Sequence, residues 1–121
     1  MTEAPLFDQA VFLDLNSELG DEDTAEVLRA FLADGARKMV TIASAGQDRS
    51  TIKREAHSIK SSAATFGFAE LSALAKELEA GAEGMAAPQL HESIEAIRST
   101  FERTAEFARA NLLKAGMGGS Q

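Results

Sequence analysis

The chain has 121 residues with 19 acidic and 12 basic side chains, a net charge of −7, and no cysteine. The length suits one domain with one hydrophobic core. The missing cysteines exclude disulfides and thiolate chemistry and favour a reducing compartment. A surface this acidic repels phosphate backbones, and without Trp or Tyr there are few stacking platforms for bases, so nucleic acid is not an expected partner. The opening residues Met1 to Gln9 carry neither a basic stretch nor an apolar run, and no segment approaches the ~18 apolar residues of a membrane span. A soluble, cytoplasmic protein with no membrane contact is expected.

Taken in order, the apolar residues predict five helices. The first covers about 8–19, where Val11, Leu15 and Leu19 recur every four residues and Gly20 follows as a C-cap. The second covers 23–45. Asp23 and Glu26 can form a capping box ahead of Val27, Leu28, Phe31, Leu32, Met39, Ile42 and Ala43, and Gly46 ends the run. Asp48 or Ser50 opens a third helix, 50–66, which Gly67 breaks. The fourth, 68–82, carries Phe68, Leu71, Leu74, Ala75, Leu78 and Ala82 on one stripe. The stretch from Gly81 to Pro88 reads as a loop. The last helix, 87–113, runs through Leu90, Ile94, Ile97, Phe101, Ala105, Ala108 and Leu112. A disordered tail over 115–121 is expected. Nothing alternates with the period of a half-buried strand. The predicted fold is therefore all-α: an antiparallel four-helix bundle with a short N-terminal capping helix, forming a single domain over 1–121.

The third helix carries the chemistry. At ~100° per residue, Ile52, Ala56, Ile59, Ala63 and Phe66 gather within ~80° of arc as a core stripe. His57 lies ~120–140° from the centre of that stripe and points to solvent. Lys60 lies one turn on, between the stripe and the His57 face. Ser61 and Ala64 share that face. Helical side chains lean back over the preceding turn, so a large residue at 61 would cover the imidazole and Ser61 leaves it open. A neutral imidazole is a free nucleophile near pH 7. A phosphoryl group arriving in line needs space and a positive charge beside its oxygens. Lys60 can supply that charge, with Lys53 and Arg54 as weaker background. Each residue also has a plain structural reading. An exposed histidine or lysine is ordinarily a surface residue, and Gly67 ends a helix whatever the chemistry. Glu79, just beside the core stripe of the fourth helix, suits a solvated charge or a packing partner.

The run 56–71, Ala56-His57-Ser58-Ile59-Lys60-Ser61-Ser62-Ala63-Ala64-Thr65-Phe66-Gly67-Phe68-Ala69-Glu70-Leu71, resembles the signature of the histidine-containing phosphotransfer (HPt) family. It is similar also to the N-terminal phosphotransfer domain of chemotaxis histidine kinases. The resemblance implies that His57 is phosphorylated on Nε2, that Lys60 assists the phosphoryl group and that Gly67 starts the next helical turn. By likeness to the chemotaxis kinases, Glu79 bonds the other ring nitrogen. Ser61 departs from the commonest family residue, glycine, and narrows the space beside the phosphoryl group.

The implied function is a phosphocarrier of a multistep phosphorelay, exchanging its phosphoryl group with aspartates of response-regulator receiver domains and working with a sensor or hybrid histidine kinase. No nucleotide-binding loop is present, so ATP-dependent self-phosphorylation is not expected. With two histidines and no cysteine, no intrinsic cofactor or metal site is expected. Any Mg²⁺ comes with the receiver. A freestanding monomer is the leading expectation, because the helices end cleanly at Leu113. The alternatives are a helical module that binds signalling partners without phosphotransfer, and the phosphoacceptor domain of a larger kinase. Ser50-Thr51-Ile52-Lys53 fits an S-x-x-K pattern but lacks the companion S-D-N and K-T-G elements. His91-Glu92 does not continue to a second histidine. Glu95, Arg98 and Glu102 form a solvated ladder.

Overall fold

The computed structural model describes residues 3–46 and 48–113; the tail expected to be disordered lies outside them. Among the described residues the chain is all-helical: α1 (Gln9–Leu19), α2 (Asp21–Ser44), α3 (Arg49–Phe66), α4 (Ala69–Gly81) and α5 (Ala87–Phe107), continued by a π-helical segment, Ala108–Leu113. None of the described helices is long and apolar enough to cross a membrane.

Asp8 caps α1, its side chain accepting from the Ala10 amide at 3.1 Å. Gly20 ends α1 with φ 88° and at the same time starts α2. The capping box expected at Asp23 and Glu26 is therefore not used. The chain turns at Gly20, so Asp21, Glu22 and Asp23 all fall in the first turn of α2, where carboxylates favour the positive end of the helix dipole. Two residues with the spacing of the α2 stripe lie off it. Val27 and Ala43 are exposed, and the buried line is Leu28, Phe31, Leu32, Gly35, Met39 and Ile42. In α1 no residue is fully buried. Phe12 and Leu15 pack against the core, while Val11 and Leu19 remain exposed, because α1 lies across α2 and α3 rather than between them.

Asp48 opens α3, accepting from the Thr51 amide at 3.1 Å and the Thr51 hydroxyl at 2.7 Å. The stripe Ile52, Ala56, Ile59, Ala63 and Phe66 is buried as the spacing predicts. Gly67, at φ 86°, closes the helix in a Schellman motif. Its amide donates to Ala64 O at 3.2 Å and the Phe68 amide donates to Ala63 O at 3.0 Å. Phe68 precedes α4, and the chain folds straight back along α3. Ser72 of α4 donates to Lys60 O at 2.9 Å, and Arg49 at the start of α3 donates to Ala82 O and Met85 O at 2.8 and 2.6 Å beyond the end of α4. Contacts that pair the end of α3 with the start of α4, and the start with the end, make the pair antiparallel. Glu70 then ties α4 to α5 through Arg103, at 2.9 Å.

The core sits where α2 to α5 meet. All seven phenylalanines of the chain join one ring network. Phe7 enters it at 4.8 Å from Phe107 and 6.0 Å from Phe68, as the Asp8 amide donates to Gly67 O at 2.7 Å and the Glu70 amide to Pro5 O at 2.8 Å. The N-terminal segment thus clasps the α3–α4 turn. Gly35 lies directly under the Phe101 ring, with no room for a methyl group. At the far end, the last expected turns of the fifth helix are wound as π-helix, with Leu113 buried and Leu112 half-buried.

Gly67 is the position least able to change. A Cβ there would sit 2.5 Å from the Asp8 carbonyl oxygen, which is backbone and cannot swing aside. The left-handed conformation adds roughly 1–2 kcal/mol for any L side chain, and overpacking adds roughly 1–3 kcal/mol. Gly67→Ala should therefore lower the thermal midpoint by on the order of 10 °C, read by circular dichroism. An unchanged midpoint would show that the clasp on the turn is loose.

Candidate functional site

His57 stands on the outer face of α3, its side chain 60% exposed. Its Nδ1 is 2.7 Å from Glu79 Oε2 on α4. An ionised carboxylate can only accept, so Nδ1 carries the proton and donates. Nε2 is left as the lone-pair nitrogen, facing solvent, with no hydrogen-bond partner among the described residues. The other oxygen of the same carboxylate, Glu79 Oε1, is 2.8 Å from Lys60 Nζ. One carboxylate therefore holds both the imidazole and the ammonium, one on each oxygen.

Local sequence explains this arrangement. Lys60 follows His57 by three residues, nearly one turn, so both side chains lean toward α4. Glu79 lies next to buried Leu78, half-sheltered between α4 and α3. The Lys60 ammonium, and after it the His57 ring, hold the Glu79 carboxyl below the usual carboxylate range. Since the folded value is the lower one, the pairing adds stability that is fully present above the ordinary carboxylate value. It is lost as the pH falls through the depressed value.

The remaining predicted residues fall around this centre. Ser61 and Ala64 are exposed on the His57 face. Ser61 contributes no side-chain bond there; its carbonyl accepts from the Thr65 hydroxyl at 3.1 Å. Gly67 is buried at the head of the hairpin, away from the imidazole in sequence but setting the register that faces α3 to α4. Lys53 pairs with Glu83 at 3.6 Å, and exposed Arg54 only grazes the Thr51 hydroxyl at 3.5 Å. Sequence reasoning left Lys60 as a free cation; its ion pair with Glu79 crosses between helices and leaves no trace in local spacing. It also passed over a shallow groove beside Ala64, lined by Asp8, the cap of α1, by Val11 of α1 and by Ala73 and Lys76 of α4. His91 is exposed on α5, beside Arg49 and Ile42, and takes no part in the site. Among the described residues no group of three or more His, Cys, Asp or Glu side chains could hold a metal ion.

Known proteins place this geometry in context. The Hpt domain family model matches residues 20–107, which spans α2 to α5 and leaves α1 outside the match. No curated protein matches the sequence. Among solved structures, histidine-containing phosphotransfer protein B (HptB) from Pseudomonas aeruginosa PAO1 is similar with a TM-score of 0.83. The match covers 93% of this chain and 98% of that one at 22% identity, a likeness of fold. With the family model covering most of its length, the chain belongs to the Hpt domain family, the histidine phosphotransfer domains of two-component phosphorelays.

Proposed function

We propose that His57 is the phosphoryl-carrying residue and that it exchanges its phosphoryl group with the aspartates of response-regulator receiver domains. One observation carries this reading: the 2.7 Å bond from Nδ1 to Glu79, which commits one ring nitrogen and leaves the other, unbonded among the described residues, on the exposed side of the ring. In the forward step the Nε2 lone pair attacks the phosphorus of an aspartyl phosphate. The P–N bond forms, the P–O bond breaks, and the aspartate leaves as carboxylate. The reverse step returns the group by the same path. Lys60 lies one turn from the ring and stabilises the phosphoryl oxygens. Ser61 keeps the approach open. Glu79 orients the ring, and Gly67 is structural.

The Mg²⁺ that such an exchange uses is held by the receiver, and a sensor or hybrid kinase supplies phosphate upstream. In this reading α2 to α5 form the antiparallel four-helix bundle with α1 as its cap, and the chain acts as a cytoplasmic monomer without kinase activity of its own. The rival reading, a module that binds partners without passing phosphate, gives no reason for a solvent-facing imidazole with one nitrogen fixed.

Incubation with a phosphorylated receiver domain should place one acid-labile, base-stable phosphoryl group on the chain. His57→Gln should abolish it with helical content unchanged. Label that survives acid, or persists in the variant, would overturn the assignment.

Lys60→Ala should slow transfer without abolishing it. A charge-assisted bond to a phosphoryl oxygen contributes roughly 1.5–3 kcal/mol, about one to two orders of magnitude in rate. An unchanged rate in a quenched-flow assay would leave Lys60 as a partner of Glu79 alone.

Ser61 separates access from folding. Glutamine is the better helix former, so Ser61→Gln should fold at least as well, yet transfer poorly because its side chain leans back across the ring. Ser61→Gly should preserve transfer while losing roughly half a kcal/mol of stability. Thermal melts and transfer rates measured side by side decide it. Equal transfer rates in the two variants would mean that position 61 does not gate His57.

A further inference from the structure

We infer that Ser72 is a positioning residue for the exchange. Its hydroxyl, bonded to the Lys60 carbonyl, fixes where α4 stands along α3 and so brings Glu79 opposite His57 and Lys60 at once. The inference rests on His57 being the acceptor, and it adds to that reading the group that sets the register of the site.

The partner this hydroxyl takes sets it apart. Serine and threonine hydroxyls inside helices ordinarily bend back to a carbonyl three or four residues earlier in their own helix. Ser17, Thr41, Ser44, Thr65 and Thr104 all do so here. Ser72 has the same option in the Phe68 carbonyl, which accepts from the Ser72 amide at 3.0 Å. Its hydroxyl instead crosses to α3 and donates to Lys60 O at 2.9 Å. A carbonyl has two lone pairs, so Lys60 O takes this bond beside the one from its own helix. Among the described residues no other helical hydroxyl donates to the carbonyl of a neighbouring helix.

Spacing turns that bond into a register. Ser72 and Glu79 are seven residues apart on α4, which is two turns and about 10.5 Å along the axis, within ~20° of one another around it. A point fixed at Ser72 is therefore a point fixed at Glu79. Apolar contacts between helices are non-directional and tolerate sliding. Arg49, at the other end of the pair, holds Ala82 O and Met85 O through a long side chain. Serine reaches its partner through a single heavy-atom torsion, with no slack to absorb a shift. Glu79 needs that precision, because its two oxygens meet His57 Nδ1 at 2.7 Å and Lys60 Nζ at 2.8 Å together. Ser72 is half-buried and lines the groove beside Ala64, which leaves space for an added methyl group.

Ser72→Ala removes the hydroxyl and places a better helix former on α4, so the fold is expected to persist. Transfer from the phosphorylated full chain to a saturating receiver domain should fall by roughly tenfold, less than the ~10²-fold that a full ångström of misplacement costs. The half-saturating receiver concentration should not move. In the unphosphorylated variant, ¹H–¹⁵N correlation of the His57 ring should find the proton shared between Nδ1 and Nε2, where the unmodified chain holds it on Nδ1. Ser72→Thr, which restores the hydroxyl, should recover both the rate and the tautomer. A tautomer unchanged in Ser72→Ala overturns the proposal whatever the rate, and so does a Ser72→Thr chain that behaves like Ser72→Ala. Should Ser72→Ala not fold, Ser72→Val and Ser72→Thr, alike in shape and different only in the hydroxyl, decide by the same two readouts. An unmodified chain that takes no label on His57 would refute the phosphocarrier reading instead. The tautomer, read without phosphate, still decides the role of Ser72.

Discussion

The packing of α3 against α4 across the turn at Gly67 is what makes a site out of residues far apart in sequence. Gly67 takes φ 86°, closes the Schellman hydrogen bonds and sends the chain back along the helix it has just left. The register set at that turn is held at the other end by Arg49, which caps the carbonyls of Ala82 and Met85. Between those two fixed points Ser72 bonds the Lys60 carbonyl, and Glu79 arrives opposite both His57 and Lys60. A shift of one helical turn in this register would take Glu79 away from both side chains.

The charges around the site follow a pattern unlike that of the chain as a whole. Every charged side chain before Arg29 is a carboxylate, and the total is −7, yet α3 carries Arg49, Lys53, Arg54 and Lys60 against Glu55 alone. Two of these cations are balanced from α4 and the turn after it, Lys53 by Glu83 at 3.6 Å and Lys60 by Glu79 at 2.8 Å. Glu79 faces inward toward the imidazole and the lysine rather than outward. Its charge is engaged locally, by one contact on each oxygen.

Much of this was legible in the sequence, for reasons that differ from residue to residue. The stripe Ile52, Ala56, Ile59, Ala63 and Phe66 could be read because helical periodicity is local and the helix is half buried, half wet. The exposure of His57 and Ser61 followed from the same wheel. The start of α2 is not legible in the same way, because Asp23 and Glu26 look like a capping box, while Gly20 turns the chain earlier and no spacing rule weighs one against the other. Val27 and Ala43 have the spacing of core residues but lie at the edges of the buried arc, where the neighbouring helix decides exposure. The Glu79–Lys60 pair, the clasp of Pro5, Phe7 and Asp8 on the hairpin turn, and the π-wound end of the last helix all depend on tertiary register. Periodicity carries no information about that register. The all-helical class that the periodicity implied is what the described residues show, and the chain shares its fold with HptB at 22% identity.

Which nitrogen of His57 holds the proton decides whether the exposed one can accept phosphorus. A free neutral imidazole in water places it mainly on Nε2, and only the bond to Glu79 reverses that preference here. Long-range ¹H–¹⁵N correlation of the His57 ring in the unphosphorylated protein, at a pH where the ring is neutral, reads the tautomer directly. A proton on Nδ1, with Nε2 bare, is the result expected from the 2.7 Å contact. A proton on Nε2 would contradict the account, because the nitrogen facing the partner would then have no lone pair to accept phosphorus.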